Sequence, residues 1–540
     1  MRAALRDPEV VHRRRWLILL VLCVSLIVIL LDNTILNVAL PRLASPTSQG
    51  GLDASQSELQ WIVDSYTIVF AGLLLTAGSM GDRYGRYRSL VIGLAVFGVG
   101  SILSAVATDA SFLIGTRALM GIGGAFIMPS TLSILTNVFT DHDERRKAIG
   151  IWAGVSALGL GVGPVTGGFL LEHFWWGAIF LVNLPVVVAG LVLGYMLVPE
   201  SRDERAPRLD PGGAVLSIVG LTVLLWGVIE APSKGWTSGP VLAAFVVGLA
   251  LIAGFFTWEA RSTHPMLDLQ FFRNPRFSVA SAAITLTFLC LFGLVFLLTQ
   301  YLQLVLGYST IKAGALLLPQ SALMMVMAPL SSVWVRRFGN KVVVSAGLAI
   351  VGVAMLLLGT LDVGSNALHV VGVTLVLGLG MANTMAPATD SIMGSLPPWK
   401  AGVGSAVNDT TRQVGGAVGV AVFGSLLASR YSAEVRDLLG DAVPAPVLGQ
   451  VADSIGRAFQ VAGEQGGATA AQILAASREG YVHGLHVTAV VAGIIMLVAS
   501  AGVLRFLPAR HRAEAPVRPE VADPGVDPVD GLPDLARDGL

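Results

Sequence analysis

Long apolar segments dominate this chain and leave little choice of fold. A helix needs roughly 20 apolar residues to cross the hydrocarbon core of a bilayer, and many stretches reach that length. Of the 540 residues, 54% are hydrophobic and only 13% are charged, a balance that excludes a soluble fold. We therefore predict an all-α polytopic membrane protein with 14 transmembrane helices. The predicted spans are 16–40, 60–81, 88–107, 110–139, 146–170, 177–198, 211–230, 238–259, 276–304, 311–335, 341–361, 366–394, 402–428 and 484–507.

The distribution of Lys and Arg predicts the orientation of these helices. With the N-terminus inside, 26 of the 35 Lys and Arg residues fall in inner segments and 7 in outer segments. Inner loops of membrane proteins carry an excess of positive charge, so we predict both termini in the cytoplasm of a plasma-membrane protein. The composition favours a bacterial source. The net charge is zero, so the composition gives no indication of a nucleic-acid partner.

A short repeat predicts two similar halves. Arg83-Tyr84-Gly85-Arg86 follows the second span, and Arg337-Phe338-Gly339-Asn340-Lys341 follows the tenth. Repeated halves are typical of secondary transporters, so we predict two six-helix bundles with two inserted helices between them. The predicted units are a basic tail 1–15, a bundle 16–198, an inserted pair 199–275, a bundle 276–508 with an external loop 429–483 that forms a helical hairpin, and a disordered tail 509–540.

Charged residues inside the spans are candidates for function because a charge at membrane depth is costly. Asp32 lies in the stretch "LLDNTILNVALP", and a rise of 1.5 Å per residue places it, Asp64 and Arg117 in the outer half of the membrane. We hypothesise that Asp32 takes up a proton and pairs with Arg117 when ionised. A static structural pair is the alternative.

A second charged group lies on the thirteenth span, where Asp409 and Arg412 are three residues apart and so share one helix face. The two side chains either neutralise each other or take part in proton coupling. The predicted proton-coupling residues are Asp32, Arg117, Asp409 and Asp64. The predicted substrate cavity comprises Asp32, Asn33, Asn37, Asp64, Tyr66, Asn383, Asn408, Asp409 and Arg412. Acidic residues outnumber basic ones within the spans, which favours cationic substrates.

Four motifs in this chain resemble those of a known family. They are "LDNTILNVALP" (31–41), "GSMGDRYGRYRS" (78–89), "RALMGIGGA" (117–125) and "GVSALGLGVGPVTGGFL" (154–170). Together they resemble the major facilitator superfamily, and specifically its fourteen-helix drug:proton antiporters of the QacA/EmrB type. Three positions depart from the family pattern: Tyr87 replaces a lysine, and Gly177-Ala178 replaces Arg-Trp.

This resemblance implies a major facilitator fold and the export of hydrophobic, often cationic compounds in exchange for protons. It implies a cytoplasmic gate at Gly78, Asp82, Arg83, Gly85 and Arg86, for which a plain positive anchor is the alternative. It also implies an antiporter motif on the fifth span, for which ordinary membrane packing is the alternative. That motif comprises Gly154, Gly159, Gly163, Pro164, Gly167 and Gly168. We expect a monomer with no cofactor and no metal, whose partners are small molecules, protons and the bilayer.

Other classes of protein have less support in the sequence. A membrane enzyme needs a nucleophile with a base or a metal cluster, and the eight histidines lie in loops or at span ends. A GxxxxGK[ST] motif is absent, so we expect an energy source other than ATP and no enzymatic activity. A dedicated exporter of one metabolite or lipid, and a proton-coupled importer, remain open.

Overall fold

The protein is a bundle of long helices in the computed structural model, which describes residues 7–45, 47, 50–54, 56–202, 210–262, 265, 267 and 269–508. In this described part, thirteen helices are long and apolar enough to cross a membrane. The helix His142–His173, with 32 residues, brings the long helices to fourteen, and the predicted all-α class is confirmed. The long helices are α1 Pro8–Ala44, α2 Gln56–Tyr84, α3 Arg86–Ala105, α4 Ala110–Val138, α5 His142–His173, α6 Asn183–Leu197, α7 Pro211–Lys234, α8 Gly239–Arg261, α9 Pro275–Gln300, α10 Leu318–Phe338, α11 Asn340–Leu358, α12 Ala367–Met393, α13 Ala401–Leu439 and α14 Gly467–Phe506.

We name the two ends of the bundle after the predicted orientation. The inner end carries the start of α1 at Pro8 and the end of α14 at Phe506, and the outer end lies opposite. The predicted disordered tail, 509–540, lies outside the described residues.

Polar side chains in the connections set where several helices begin. Asp109 Oδ1 accepts a hydrogen bond from the Phe112 amide at 2.8 Å, at the start of α4. Asp141 Oδ1 accepts hydrogen bonds from the Asp143 and Glu144 amides at 3.0 and 2.8 Å, at the start of α5. These caps satisfy amides that have no partner within the helix. The amide contacts also hold the pKa of the Asp141 carboxyl below its usual value.

The two repeated loops have the same backbone form. Gly85 is the single residue between α2 and α3 and has a φ of 123°. Gly339 is the single residue between α10 and α11 and has a φ of 82°. Residues with a side chain rarely adopt such positive φ values, so both turns require glycine. The sequence repeat therefore corresponds to a repeated helix–glycine–helix turn.

Helix packing defines two groups and the seam between them. In the first group α4 packs against α2 and α3, and α5 packs against α1. In the second group α13 packs against α9 and α14, and α11 packs against α12 and α14. The two groups meet where α2 contacts α13 and where α5 contacts α10. The inserted helices α7 and α8 pack against each other, and α7 also contacts α2 and α13.

The helices that flank the predicted external loop 429–483 are longer than expected. α13 continues to Leu439 and α14 begins at Gly467, so only 440–466 connects them, with short helices at Ala445–Val451 and Ile455–Gln465. The extensions pack against each other: a Cβ on Gly480 would lie 2.8 Å from a Val435 methyl group. The hydropathy of the sequence falls beyond the predicted spans although the two helices continue to pack against each other. The apolar pattern therefore predicted helices that were too short.

Two other predicted spans are interrupted. The span 177–198 divides into Ala178–Leu181 and α6, and the span 311–335 divides into Thr310–Ala315 and α10. Pro185 and Pro319 lie in the first turn of α6 and of α10, where the missing amide of a proline is tolerated. α9 continues as a π-helix over Tyr301–Val305.

Candidate functional site

The ion pair predicted from the sequence lies fully buried in the first group of helices. Arg117 Nη1 of α4 donates a hydrogen bond to Asp32 Oδ2 of α1. The exposed fraction is 0% for Asp32 and 1% for Arg117. Two charges so far from water require each other, because removing one partner leaves the other uncompensated.

Other polar groups orient this pair. Asn183 Nδ2 of α6 donates to Asp32 Oδ1 at 3.5 Å and to Ser101 Oγ at 3.3 Å. Arg117 Nε donates to the Ile62 carbonyl at 3.1 Å, and its Cζ lies 4.5 Å from the ring centroid of Tyr66. The Asp32 carboxylate therefore accepts hydrogen bonds from Arg117 and Asn183. The Arg117 guanidinium also has a second hydrogen-bond acceptor and a neighbouring aromatic ring.

The remaining residues predicted for this region are placed as follows. Asp64 is half-buried on α2, while Tyr66 is fully buried and stacks on Phe70 at 5.7 Å. The side chains of Asn33 and Asn37 lie outside what the structure describes. Both residues lie on α1, one and five positions after Asp32.

The second charged group is arranged differently from a direct pair. Asn408 Nδ2 donates to Asp409 Oδ1 at 3.2 Å, and Arg412 Nη2 donates to Thr389 Oγ1 at 3.2 Å. Thr389 Oγ1 in turn donates to Asn408 Oδ1 at 3.1 Å. Within the described residues, Asp409 and Arg412 form no ion pair within 4 Å of each other. A chain through Thr389 and Asn408 connects them instead.

A small cavity lies between the two groups of helices next to Asp409 and Arg412. Its volume is about 60 Å³, far below that of a pocket for a drug-sized ligand. Asn408 is fully buried and does not line this cavity, and neither does Asn383, whose Nδ2 donates to the Leu379 carbonyl of its own helix at 2.9 Å. The cavity is lined by Ile29, Leu30, Phe70, Met128 and Ser156 on one side and by Phe288, Leu291, Phe292, Met324, Met385, Asp409, Arg412 and Gln413 on the other.

The predicted gate residues join the two groups at the inner end. The Gly402 and Val403 amides, at the start of α13, donate to the two oxygens of Asp82 at 2.9 and 3.1 Å. Arg86 Nε donates to Asp82 Oδ1 at 2.8 Å, and Arg86 Nη2 donates to the Trp399 carbonyl at 3.0 Å. Asp82 thus caps a helix of the opposite group, where a negative charge is favoured by the helix dipole.

Close backbone contacts surround this capping interaction. A Cβ on Gly78 would lie 2.6 Å from the Gly402 carbonyl oxygen, so α2 and α13 touch backbone to backbone. Beside Gly85, Glu200 Oε1 accepts a hydrogen bond from the Tyr87 amide at 3.1 Å. Burial raises the pKa of the Glu200 carboxyl. The fifth predicted gate residue, Arg83, lies over the ring of its neighbour Tyr84, with Cζ 5.6 Å from the centroid.

Ion pairs also cross the seam beside α5. Arg146 Nε of α5 lies 3.3 Å from Asp390 Oδ2 of α12. Asp143 Oδ2 of α5 lies 3.6 Å from Arg336 Nη1 of α10. These pairs and the Asp82 cap hold the two groups together at the inner end, which is closed in this structure.

The glycines of the predicted antiporter motif bring α5 close to three neighbours, which are α10, the short helix Thr310–Ala315 and α1. A Cβ on Gly154 would lie 2.9 Å from Met325 Cα of α10, and one on Gly168 would lie 2.6 Å from an Ile311 side-chain carbon. Gly159, Gly163 and Gly167 face α1 instead, where an added Cβ would meet Leu30, Thr34 and Ile35. Pro164 lies in the same helix, and its side chain is outside the described set.

Several residues in this arrangement, among them Thr389 and Arg146, were not predicted, and neither were three others. Trp152 lies on α5 against Arg412, Asn183 holds Asp32, and Glu200 binds the start of α3. For Asn183 the sequence does hold a signal, a lone amide inside the apolar stretch "FLVNLP". Trp152 and Glu200 depend on contacts between residues distant in sequence, which no local pattern reveals.

Comparison with known proteins identifies the family. The model of the Major Facilitator Superfamily matches residues 22–420. The chain belongs to this superfamily. It is 39% identical to "Multidrug efflux pump LfrA" of Mycolicibacterium smegmatis, over 91% of this chain and 96% of the relative. It is 33% identical to "Tetracenomycin C resistance and export protein" of Streptomyces glaucescens, over 93% and 94%. It is 32% identical to "Methyl viologen resistance protein SmvA" of Salmonella typhimurium, over 91% and 98%.

Solved structures support the same fold. The human organic anion transporter MFSD10 (TETRAN) superposes with a TM-score of 0.60 at 14% identity, covering 91% of this chain and 99% of that one. The peptide transporter POT superposes with a TM-score of 0.56 at 15% identity, covering 90% and 95%. The predicted family and fold are therefore confirmed, and the chain is a multi-pass membrane protein of a transporter superfamily.

Proposed function

We propose that this protein exports lipophilic, cationic drugs and toxic compounds across the plasma membrane in exchange for protons. The similarity to named drug efflux and resistance proteins over more than nine-tenths of the chain supports export of such compounds. The buried Asp32–Arg117 pair carries the proposal of proton coupling. Asp32 is a carboxylate at membrane depth, and its neutralisation by a proton would release the buried guanidinium of Arg117.

The proposed mechanism is alternating access, with both termini in the cytoplasm. The cavity at the seam is too small for a drug-sized molecule, so the two groups of helices must separate for one to bind. The inner-end contacts of Asp82, Arg146 and Asp143 are the interactions that have to break for the cavity to open toward the cytoplasm. Protonation at the outer side drives drug release if the proton and the cationic drug compete for the same carboxylates.

In this proposal the protein works as a monomer. It needs no cofactor, because the proton gradient supplies the energy. No partner other than the small-molecule substrate, the proton and the bilayer is required. Within the described residues, no group of three or more His, Cys, Asp or Glu is placed to hold a metal ion.

The decisive experiment measures ethidium efflux by the full-length protein in proteoliposomes with an imposed pH gradient and no nucleotide. We expect uphill efflux that stops when an uncoupler collapses the gradient. The matched control is Asp437→Asn, an exposed carboxylate on α13, which should transport like the wild type. Uphill efflux that persists with the uncoupler, or that requires ATP, would contradict the proposal.

A dedicated exporter of one metabolite is the second candidate. It is favoured by the relative named for tetracenomycin C, a single compound. Competition assays separate the two: a multidrug exporter shows mutual inhibition among unrelated cations, whereas a dedicated exporter transports one compound and ignores the others.

A further inference from the structure

The guanidinium of Arg412 occupies an aromatic cage that spans the seam. Its Cζ lies 4.8 Å from the ring centroid of Trp152 and 5.2 Å from that of Phe288. A cation this close to a ring face is attracted to the ring, and the attraction grows when water is excluded. Arg412 and Phe288 belong to α13 and α9, whereas Trp152 belongs to α5 of the other group. The cage therefore exists only while the two groups are together.

Asp409, one helical turn away, lacks a directly bound cation. It is fully buried, and its Oδ2 has no hydrogen-bond partner among the described residues. Arg412 uses one of its five donors, to Thr389, and its Nε has no partner in the same set. A buried charge with few partners is unfavourable. A positively charged partner would therefore stabilise the Asp409 carboxylate, and Arg412 does not bind it directly.

We propose that Arg412 is an internal occupant of a cation site formed by Asp409, Trp152 and Phe288, and that a lipophilic monovalent cation displaces it during transport. This inference rests on the proposed function and adds to it the site where the cation binds and the internal cation that competes for it. The ligand carries one positive charge on an aromatic or alkylated body that the two rings and the sulfur atoms of Met324 and Met385 can cover. A compact, strongly hydrated cation is disfavoured, because Asp409, Gln413 and Ser156 offer too few oxygen atoms to replace its water shell.

The same movement that opens the cavity also empties the cage. A ligand cannot be added to a cavity of about 60 Å³, so it must take the volume that Arg412 fills or enter when the seam opens. Separation of α5 from α13 removes Trp152 from the guanidinium. The internal cation and the ligand therefore compete for one site, and the apparent affinity for the ligand is lowered by the fraction of protein in which Arg412 fills the cage.

Equilibrium binding tests this competition. Ethidium binding to the full-length protein in nanodiscs is measured by fluorescence anisotropy, with no gradient present. Arg412→Gln should tighten binding by about tenfold, since it removes the competitor. Asp409→Asn and Trp152→Leu should each weaken it by about tenfold. The matched controls are Arg430→Gln and Asp437→Asn, both exposed on α13, and Trp334→Leu, exposed on α10; all three should bind like the wild type.

Each outcome decides the matter. Unchanged or weaker ethidium binding by folded Arg412→Gln protein overturns the inference, and so does an equal gain for the neutral dye Nile red. If Arg412→Gln does not fold, the double variant Arg412→Gln/Asp409→Asn, which lacks both buried charges, replaces it. Because it lacks the competitor, that variant should bind ethidium about tenfold more tightly than Asp409→Asn alone, and equal affinity of these two variants would overturn the inference. This binding assay does not depend on proton coupling. If the variants bind as expected but the protein shows no gradient-driven efflux, only the proposed function is contradicted.

Discussion

At the scale of single residues, Asp32 is the residue at which we propose that a proton changes the state of the protein. It shares its buried position with Arg117 and Asn183. A neutral carboxyl costs little in an apolar layer, whereas an ionised one needs its cation. The pair is therefore compatible with two roles, a proton switch and a static structural link, and a substitution separates them.

Asp32→Asn imitates the protonated carboxyl. If Asp32 is the switch, we expect the variant to fold with wild-type yield and to lose proton-driven ethidium efflux. A static link predicts that folding and transport are lost together, and that Arg117→Gln in the same chain restores both. The measurements are membrane yield and uphill efflux in proteoliposomes. Uphill efflux by the double variant would rule out the switch and leave Asp409 as the next candidate.

Gly85 is constrained both by its backbone and by its surroundings. Its φ of 123° is unfavourable for any residue with a side chain, and an added Cβ would lie 2.7 Å from a Glu200 oxygen. Gly85→Ala should destabilise the protein by about 1–2 kcal/mol and reduce efflux. Thermal unfolding in detergent measures the first effect. Gly115→Ala is the matched control, because this position lies inside α4 with nothing within 4 Å of an added Cβ, and it should not lower the unfolding temperature.

At the scale of helices, the start of α13 depends on a residue of α2. Asp82 accepts hydrogen bonds from two amides of that helix end, and such charge-assisted bonds contribute about 1.5–3 kcal/mol each. Asp82→Asn leaves only one oxygen to accept them, so the inner end should open more often. We expect faster labelling of Ser405→Cys by an impermeant thiol reagent applied from the inner side.

That experiment requires a background without the two natural cysteines, Cys23 and Cys290, which are buried and unpaired. Asp437→Asn serves as the control on the same helix. Identical labelling rates for Asp82→Asn and the control would show that the charged turn is only an anchor.

The glycines of α5 are needed for close packing against α1. An added Cβ on Gly163 would collide with Thr34, whose Oγ1 donates a hydrogen bond to the Gly159 carbonyl at 3.1 Å. Gly163→Leu should cost about 1–3 kcal/mol through overpacking and block transport. Gly115→Leu, on an exposed face of α4, should retain efflux in the same vesicle assay. Full activity in Gly163→Leu would mean that this face tolerates separation from α1.

Much of this architecture is readable from the sequence, and the reasons are physical. A span must be apolar, so hydropathy located all fourteen long helices, and a turn at positive φ must be glycine, so Gly85 and Gly339 marked the repeat. The pairing of Asp32 with Arg117 was predictable because both lie at a similar membrane depth and opposite charges in an apolar layer stabilise each other. The chain from Arg412 to Asp409 was not readable, since it depends on Thr389 and on ring contacts across the seam. The long outer parts of α13 and α14 were missed because their packing extends beyond the apolar stretch.

At the scale of the whole molecule, the inner end is held by contacts of two kinds. Some join helices of one group: Arg15 of α1 donates two hydrogen bonds to Glu144 of α5, at 2.8 and 2.7 Å. These bonds hold the pKa of the Glu144 carboxyl below its usual value. Other contacts cross the seam, such as the pair between Asp143 of α5 and Arg336 of α10. Alternating access predicts that only the second kind must break in each cycle.

Cross-linking distinguishes the two kinds directly. In the background without Cys23 and Cys290, Asp143→Cys with Arg336→Cys places two thiols across the seam, and a short bifunctional thiol reagent should join them. We expect that link to arrest efflux, because α5 can no longer move away from α10 while the inner end opens. Arg15→Cys with Glu144→Cys is the matched pair within one group, and its cross-link should leave efflux largely intact. Arrest by both links would mean that the groups do not move as units, and continued efflux with the first link in place would exclude opening of the seam at this end.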